Sequence, residues 1–257
     1  MTLRDIRYLF LKLNIWLVFS AILMVVVTAL ALSLPLEAVG LGFLLPSLLI
    51  YFVYVEERRA VGPEDPLNHP HRTVLVRRYQ RQLLITDRLA LLGYETLLVW
   101  LVAQNPSTGL WYIAGGQLPL VVLGLYNHLK RHPTFDSLAV GATWSYVILF
   151  TVVISTGQRL SQALVFPFLA WLLITGAGVE SRNIKDRFGD SKANKNTLAG
   201  YLGWKLGTIV FTALKSIGVL IFYVTSGLVP ATLTVGILGL LRAFRTLTDR
   251  EATRVNE

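Results

Sequence analysis

Eight charged side chains lie within sixteen residues, Glu180 to Lys195, directly after a long apolar stretch. Within this segment Asp186 and Asp190 are four residues apart, so on a helix both carboxylates project from the same face. A divalent cation best relieves their mutual repulsion, and Mg²⁺ is usually held by one or two carboxylates together with substrate phosphates. The neighbouring lysines and arginines suit such phosphates. The alternative is a solvated charged loop that reflects membrane topology alone.

The same segment carries a recognisable motif. RNIKDRFGDSKANKNTL, residues 182 to 198, resembles the second aspartate-rich motif of UbiA-type intramembrane prenyltransferases, R-D-I-K-D-x-x-G-D-x-x-x-G-x-x-T-L. Asn183 replaces the usual first acid, and Asn194 stands near the usual glycine. The matching residues are Asp186, Gly189, Asp190, Thr197 and Leu198.

A second segment, PLNHPHR at residues 66 to 72, is similar to the R-I-N-x-P-x-R sequence that follows the first aspartate-rich motif of that family. Alignment at this point places Asp65 on the last acid of N-D-x-x-D-x-x-x-D. Arg58 and Val61 fall on the other two aspartates, and Glu57 falls on the asparagine. Either Glu57, Glu64 and Asp65 form a modified metal site, or the first metal is lost.

A third segment, LYNHLKRHPTFDSLAVG from Leu125, resembles the family sequence L-Y-x-x-L-K-R-x-P-x-x-x-x-L-x-x-G. Tyr126 and Lys130 share one helical face, so a phenol and an ammonium can approach the same diphosphate. Alone, this segment is equally typical of a helix end that carries topology charges.

The resemblance implies transfer of a prenyl group from a polyprenyl diphosphate to an aromatic or lipid acceptor. It implies Mg²⁺ as cofactor, with catalytic and metal-binding roles for Asp65, Asp186 and Asp190 and possible metal contacts from Glu57 and Glu64. The implied diphosphate contacts are Asn68, Arg72, Tyr126, Lys130, Arg131 and Lys185. We therefore expect the loops 56–88 and 181–205 to meet over one cavity mouth.

Composition fits a membrane protein. The chain has 257 residues, is 54% hydrophobic and has a mean hydropathy of +0.57, well above a soluble domain of this length. It contains no cysteine, which excludes disulfides, thiolate metal sites and cysteine nucleophiles. The net charge of +9 comes from basic residues beside apolar spans, which favours anionic lipids or diphosphate over nucleic acid as partners.

The elements that must position these motifs are predicted transmembrane helices in one domain, residues 1–257. Hydropathy indicates about eight spans, with seven or nine also compatible. Of the 24 basic residues, 22 fall on one side of this arrangement, which predicts a multi-pass plasma-membrane protein with both termini and both polar loops cytoplasmic. The spans are 13–34, 39–55, 89–103, 110–128, 138–156, 162–180, 206–226 and 229–246.

Two ionisable residues, Glu95 and Lys215, fall inside predicted spans, where charges are costly and often functional. These residues leave open the alternative that the protein is a small membrane transporter. The depleted first motif leaves open a second alternative, that the protein is a non-catalytic relative that binds an isoprenoid lipid.

Overall fold

The computed structural model describes residues 3–61, 65–105, 109–129, 135–158, 161–192 and 197–256. Within these ranges the chain is helical and contains no β-strand. Short 3₁₀ turns at Leu36–Ala38, Gly40–Phe43 and Gln162–Leu164 lead into two of the long helices. The helices are α1 (Leu3–Lys12), α2 (Leu17–Ala31), α3 (Leu44–Arg59), α4 (Asp65–Asn68), α5 (Pro70–Arg78), α6 (Gln80–Gln104), α7 (Trp111–Leu129), α8 (Phe135–Thr156), α9 (Val165–Lys192), α10 (Leu198–Ser226) and α11 (Leu228–Asn256).

The eight predicted spans all coincide with these helices, and the predicted all-α polytopic bundle is confirmed. In the part of the chain that the structure describes, five segments are long and apolar enough to cross a membrane. The third and fourth predicted spans correspond to α6 and to the shorter apolar helix Trp111–Tyr126. The number of true crossings stays a prediction. The five segments are Gly40–Arg59, Phe135–Thr156, Gln162–Asp186, Leu198–Ser226 and Leu228–Leu247.

The first predicted span, 13–34, contains α2, and a second helix, α1, precedes it. The chain bends by 46° between α1 and α2, which count as a sixth candidate span if they are taken together. Asn14 lies at the break with φ of +59°, a left-handed conformation that asparagine tolerates better than most residues. Trp16, which follows it, stacks on Phe244 of α11 with ring centroids 5.2 Å apart. Before the break, α1 packs against α5 and α11.

Helix α9 is the central element, packed between α8 and α10. A Cβ on Gly141 of α8 would lie 3.0 Å from the Leu172 carbonyl oxygen and 3.1 Å from the Gly176 Cα, so these helices cross almost backbone to backbone. A Cβ on Gly218 of α10 would lie 2.8 Å from the Ala170 carbonyl oxygen. Glycine is needed at both crossings because any side chain would force the helices apart.

The junction of α9 and α10 is fixed by polar contacts. The buried Glu180 of α9 accepts a hydrogen bond through Oε2 from the Ala199 amide at 3.0 Å. Thr197 caps the same helix start by accepting from the Gly200 amide at 3.1 Å. Both contacts satisfy amides that an N-terminus leaves unpaired, and a carboxylate is favoured there by the helix dipole. Gly203 then adopts φ of +68° and kinks α10.

Candidate functional site

Four helix ends converge at one end of the bundle: the C-terminal end of α3, the starts of α4 and α5, and the last turns of α9. Arg72 of α5 donates a hydrogen bond to Asp65 of α4 within the interior. His69 Nε2 lies 3.8 Å from Asp186 Oδ1, which joins the α4–α5 segment to α9. The structure therefore brings together acids from the first and second aspartate-rich segments, which are more than a hundred residues apart in sequence.

Arg58 lies at the centre of this cluster. Its Nε is 2.9 Å from Glu57 Oε2, an ion-pair contact whose angle does not form a hydrogen bond, and its Nη1 is 3.9 Å from Asp65 Oδ1. Asp186 and Tyr126 are its other electrostatic neighbours. Only 14% of the Arg58 side chain is exposed, so these interactions are weakly screened by water. The guanidinium of Arg58 is therefore held in place between the carboxylates of Glu57 and Asp65.

Arg72 is the second buried cation, with 4% of its residue surface exposed. Burial and the positive charge of Arg58 together lower its pKa to about 10, against the opposite effect of Asp65. The guanidinium remains protonated at neutral pH, so Arg72 keeps the charge that a diphosphate contact needs. Its tie to Asp65 holds it in place.

His69 was not assigned by the motif comparison, although it approaches Asp186. Burial lowers its pKa to about 2, and the charges of Arg72 and Arg58 contribute to the same shift. The imidazole is therefore neutral, and the contact with Asp186 is not an ion pair. At 3.8 Å it is also too long for a hydrogen bond.

Tyr126 of α7, a predicted diphosphate contact, donates a hydrogen bond to Asp136 Oδ1 of α8 at 2.5 Å. Asp136 is buried and was missed by the sequence reasoning, because its position in the third motif is a variable one. Through this bond the phenol of Tyr126 is held at the mouth of a cavity.

That cavity has a volume of about 80 Å³ and lies between α3, α7 and α8. Its wall is mostly apolar, and its polar mouth is formed by Glu57, Tyr126 and Arg182. Tyr54 and Trp144, 6.2 Å apart between ring centroids, lie in the wall. A narrow apolar space therefore opens directly onto the acid–arginine cluster.

A larger cavity, of about 580 Å³, lies at the opposite end of the bundle, where α2, α8 and α10 end. Its described lining is uncharged, with hydroxyl and amide groups from Ser33, Gln158, Ser161, Thr225 and Ser226. Volume alone would favour this cavity as the site. We place the site at the smaller one because the charged groups that could act on a diphosphate converge there.

The remaining predicted residues are less well placed or are not described. Lys185 is exposed on α9. Asn68 and Asp190 belong to α4 and α9, but their side chains lie outside the described part of the structure. Glu64, Lys130 and Arg131 lie outside the described residues altogether.

The described carboxylates fit a metal only in part. No group of three or more histidine, aspartate or glutamate side chains in the described residues has the arrangement of a metal site. Asp65 and Glu57 have guanidinium neighbours, whereas Asp186, 24% exposed, has the neutral His69 as its nearest partner among described side chains. The carboxylate oxygens of Asp186 are ligands of the kind that Mg²⁺ prefers. The negative charge of Asp65, by contrast, is already neutralised by Arg58 and Arg72.

Fold and site together define a helical membrane protein with a cluster of acids and arginines beside an apolar cavity. The sequence model of the UbiA prenyltransferase family matches residues 62–257, and the chain belongs to that family. Asp65, Arg72, Tyr126 and Asp186 lie within the matched residues, whereas Glu57 and Arg58 precede them. No curated protein and no solved structure matches the chain.

Proposed function

We propose that this protein is an integral membrane prenyltransferase that transfers an isoprenoid chain from a polyprenyl diphosphate to an aromatic or lipid acceptor. The observation that carries the proposal is the cluster of Arg58, Arg72 and Asp186, which adjoins the apolar cavity because Arg58 contacts Glu57 of the cavity lining. A molecule with a strongly anionic head and an apolar tail fits these two environments together. Family membership supports the same substrate class.

In this proposal the diphosphate lies against Arg58 and Arg72, and the first isoprene unit enters between α3, α7 and α8. A cavity of about 80 Å³ is narrow, so a longer chain requires its side chains to move. Transfer breaks the bond between the prenyl C1 carbon and the diphosphate oxygen, whose electron pair leaves with diphosphate. A new bond then joins C1 to the acceptor, which loses a proton.

The side chains contribute mainly electrostatics. Arg58 and Arg72 stabilise the charge that grows on the departing diphosphate, and they act in a site from which water is largely excluded. Asp186 and Asp190 would hold Mg²⁺, with Asp65, Glu57 and Glu64 as further candidate ligands; bound there, the ion would polarise the leaving group. We propose that the remaining diphosphate contacts come from Asn68, Tyr126, Lys130, Arg131 and Lys185. Asp136 holds the phenol of Tyr126 in place.

The test is release of diphosphate by the purified protein in lipid nanodiscs, supplied with prenyl diphosphates of increasing length and a membrane lipid extract as acceptor source. We expect Mg²⁺-dependent binding followed by release of diphosphate and formation of a prenylated lipid. Binding without release would favour a non-catalytic isoprenoid-binding relative. Absence of prenyl-diphosphate binding in folded protein would contradict both.

We further propose that the protein resides in the plasma membrane with both termini and the acid–arginine cluster on the cytoplasmic side. The support is the position of 22 of the 24 basic residues on one side of the predicted spans. Reporters fused before residue 1 and after Glu257 should both remain cytoplasmic. An exported reporter after Glu257 would contradict the even number of spans.

A further inference from the structure

Helix α1 covers α5 at the end of the bundle where the acid–arginine cluster lies. Tyr79, the residue after α5, donates a hydrogen bond from its hydroxyl to Asp5 Oδ2 at 2.6 Å. The rings of Tyr8 and His71 meet edge to face, with centroids 4.7 Å apart. Apolar side chains of α1 and α5 also share one buried cluster. Helix α1 is therefore held against α5 beside Arg72, the residue that follows His71.

Lys12, the last residue of α1, lies on the same side of this helix as Tyr8. The two residues are four apart, and Lys12 Nζ is 5.9 Å from the centroid of the Tyr8 ring. Tyr8 in turn contacts His71. These contacts place the ammonium of Lys12 near the start of α5, on the side of α1 that faces the protein.

The burial of Lys12 is unusual for a lysine. Only 8% of its surface is exposed, whereas a lysine at a helix end normally extends its ammonium into water. Arg7, on the same helix, is exposed and has this ordinary placement. The burial is therefore particular to Lys12 and is not shared by the basic residues of α1 in general.

The positive charge of Lys12 acts within the proposed diphosphate site. Its electrostatic effect on His69 is smaller than that of Arg72 and larger than that of Arg182, a residue of the cavity lining. His69 lies three residues before Arg72, and its Nε2 is 3.8 Å from Asp186 Oδ1. A diphosphate bound at Arg72 would therefore also lie in the field of the Lys12 ammonium.

We propose that Lys12 is a further diphosphate-binding residue and that α1 forms one wall of the diphosphate site. The ammonium would donate hydrogen bonds to phosphate oxygens as a compact point charge, beside the planar guanidinium of Arg72. Lys12 belongs to none of the three motif segments and precedes residues 62–257, which the family model matches. The inference rests on the proposed function, because it names a further contact for the same substrate.

The experiment is isothermal titration of full-length protein in nanodiscs with a prenyl diphosphate and, separately, with inorganic diphosphate. Lys12→Met should weaken binding of both ligands about tenfold, since a hydrogen bond from a charged donor is lost. Lys12→Arg keeps the charge and should retain most of the affinity. Arg7→Met is the matched control, because Arg7 is exposed on the same helix, and it should bind both ligands as wild type does.

Binding of Mn²⁺ by the free protein separates a diphosphate contact from a structural role. Removal of a cation near the acids should leave Mn²⁺ affinity unchanged or raise it, whereas displacement of α1 would lower the affinity for both metal and diphosphate. Lys12→Gln provides a second neutral side chain where methionine disturbs packing, and thermal unfolding checks that each variant is folded.

Equal prenyl-diphosphate affinity in Lys12→Met and Arg7→Met would overturn the proposal. So would a parallel loss of Mn²⁺ and diphosphate binding in both neutral variants, because Lys12 would then only hold α1 against α5. Absence of prenyl-diphosphate binding in folded wild type would contradict the proposed function, and this inference with it. Failure of this inference alone leaves wild-type binding intact, so the two failures are distinguishable.

Discussion

Replacing Arg58 by methionine tests the centre of the proposed site. The substitution keeps an apolar stem of similar reach but removes a guanidinium that lies 2.9 Å from Glu57 and 3.9 Å from Asp65. A hydrogen bond to a charged group contributes about 1.5–3 kcal/mol. If Arg58 contacts the diphosphate, we expect the affinity for a prenyl diphosphate to fall about tenfold to 150-fold.

The same substitution should change metal affinity in the opposite direction. Arg58 repels any cation that approaches the acids around it, so its removal should strengthen Mn²⁺ or Mg²⁺ binding by the free protein. Arg58→Asp should strengthen metal binding further, because it places an acid where the family motif has one. A residue with a purely structural role would weaken both kinds of binding when replaced.

The assay is isothermal titration of nanodisc-embedded protein with a prenyl diphosphate, combined with electron paramagnetic resonance of Mn²⁺ binding. Arg59→Met is the matched control. Arg59 is the neighbouring arginine, and it pairs with Glu56 at 2.5 Å, away from Asp65. Prenyl-diphosphate affinity within twofold of wild type in Arg58→Met would refute the reasoning. A parallel loss of metal and diphosphate affinity would reduce Arg58 to a structural ion pair.

Three further predictions concern single residues. Asp186→Asn should insert normally and lose about a hundredfold in Mg²⁺-dependent prenyl-diphosphate affinity, close to 3 kcal/mol, and unchanged binding in folded protein would reject the metal assignment. Thr143→Trp should fill the cavity beside Trp144 and weaken prenyl-diphosphate binding about fivefold or more while sparing inorganic diphosphate, and equal losses for both ligands would contradict the cavity assignment. His69 has a depressed pKa of about 2, so below pH 6.5 the unfolded chain binds a proton at this residue that the folded protein does not bind. With EDTA present, the free energy of unfolding should therefore fall by up to about 1.4 kcal/mol for each pH unit below 6.5. Thermal unfolding of His69→Asn should lack that decline, and matching profiles would contradict the assigned pKa.

The fold could largely be predicted because most apolar stretches approach the length of a membrane helix, and all eight predicted spans coincide with helices. The break at Asn14 could not be predicted, because hydropathy depends on composition alone and does not report a positive φ at a single residue. Among site residues, Asp65, Arg72 and Asp186 followed from motif matching. Arg58 was missed as a candidate because an arginine at the end of an apolar span is equally typical of membrane topology. Its central position depends on how three distant segments pack.

The charge balance of the described cluster bears on why a metal is proposed. Four described cations, Lys12, Arg58, Arg72 and Arg182, surround His69, and the acids Glu57, Asp65 and Asp186 offset most of their charge before a substrate binds. A diphosphate adds several negative charges to this nearly balanced set. The described side chains offset them only in part, because Arg58 and Arg72 already have acidic neighbours. The additional positive charge must come from a divalent cation or from basic residues such as Lys130 and Arg131. Asp186 and Asp190 offer the place for the first, and a strong dependence on Mg²⁺ follows if they supply most of it.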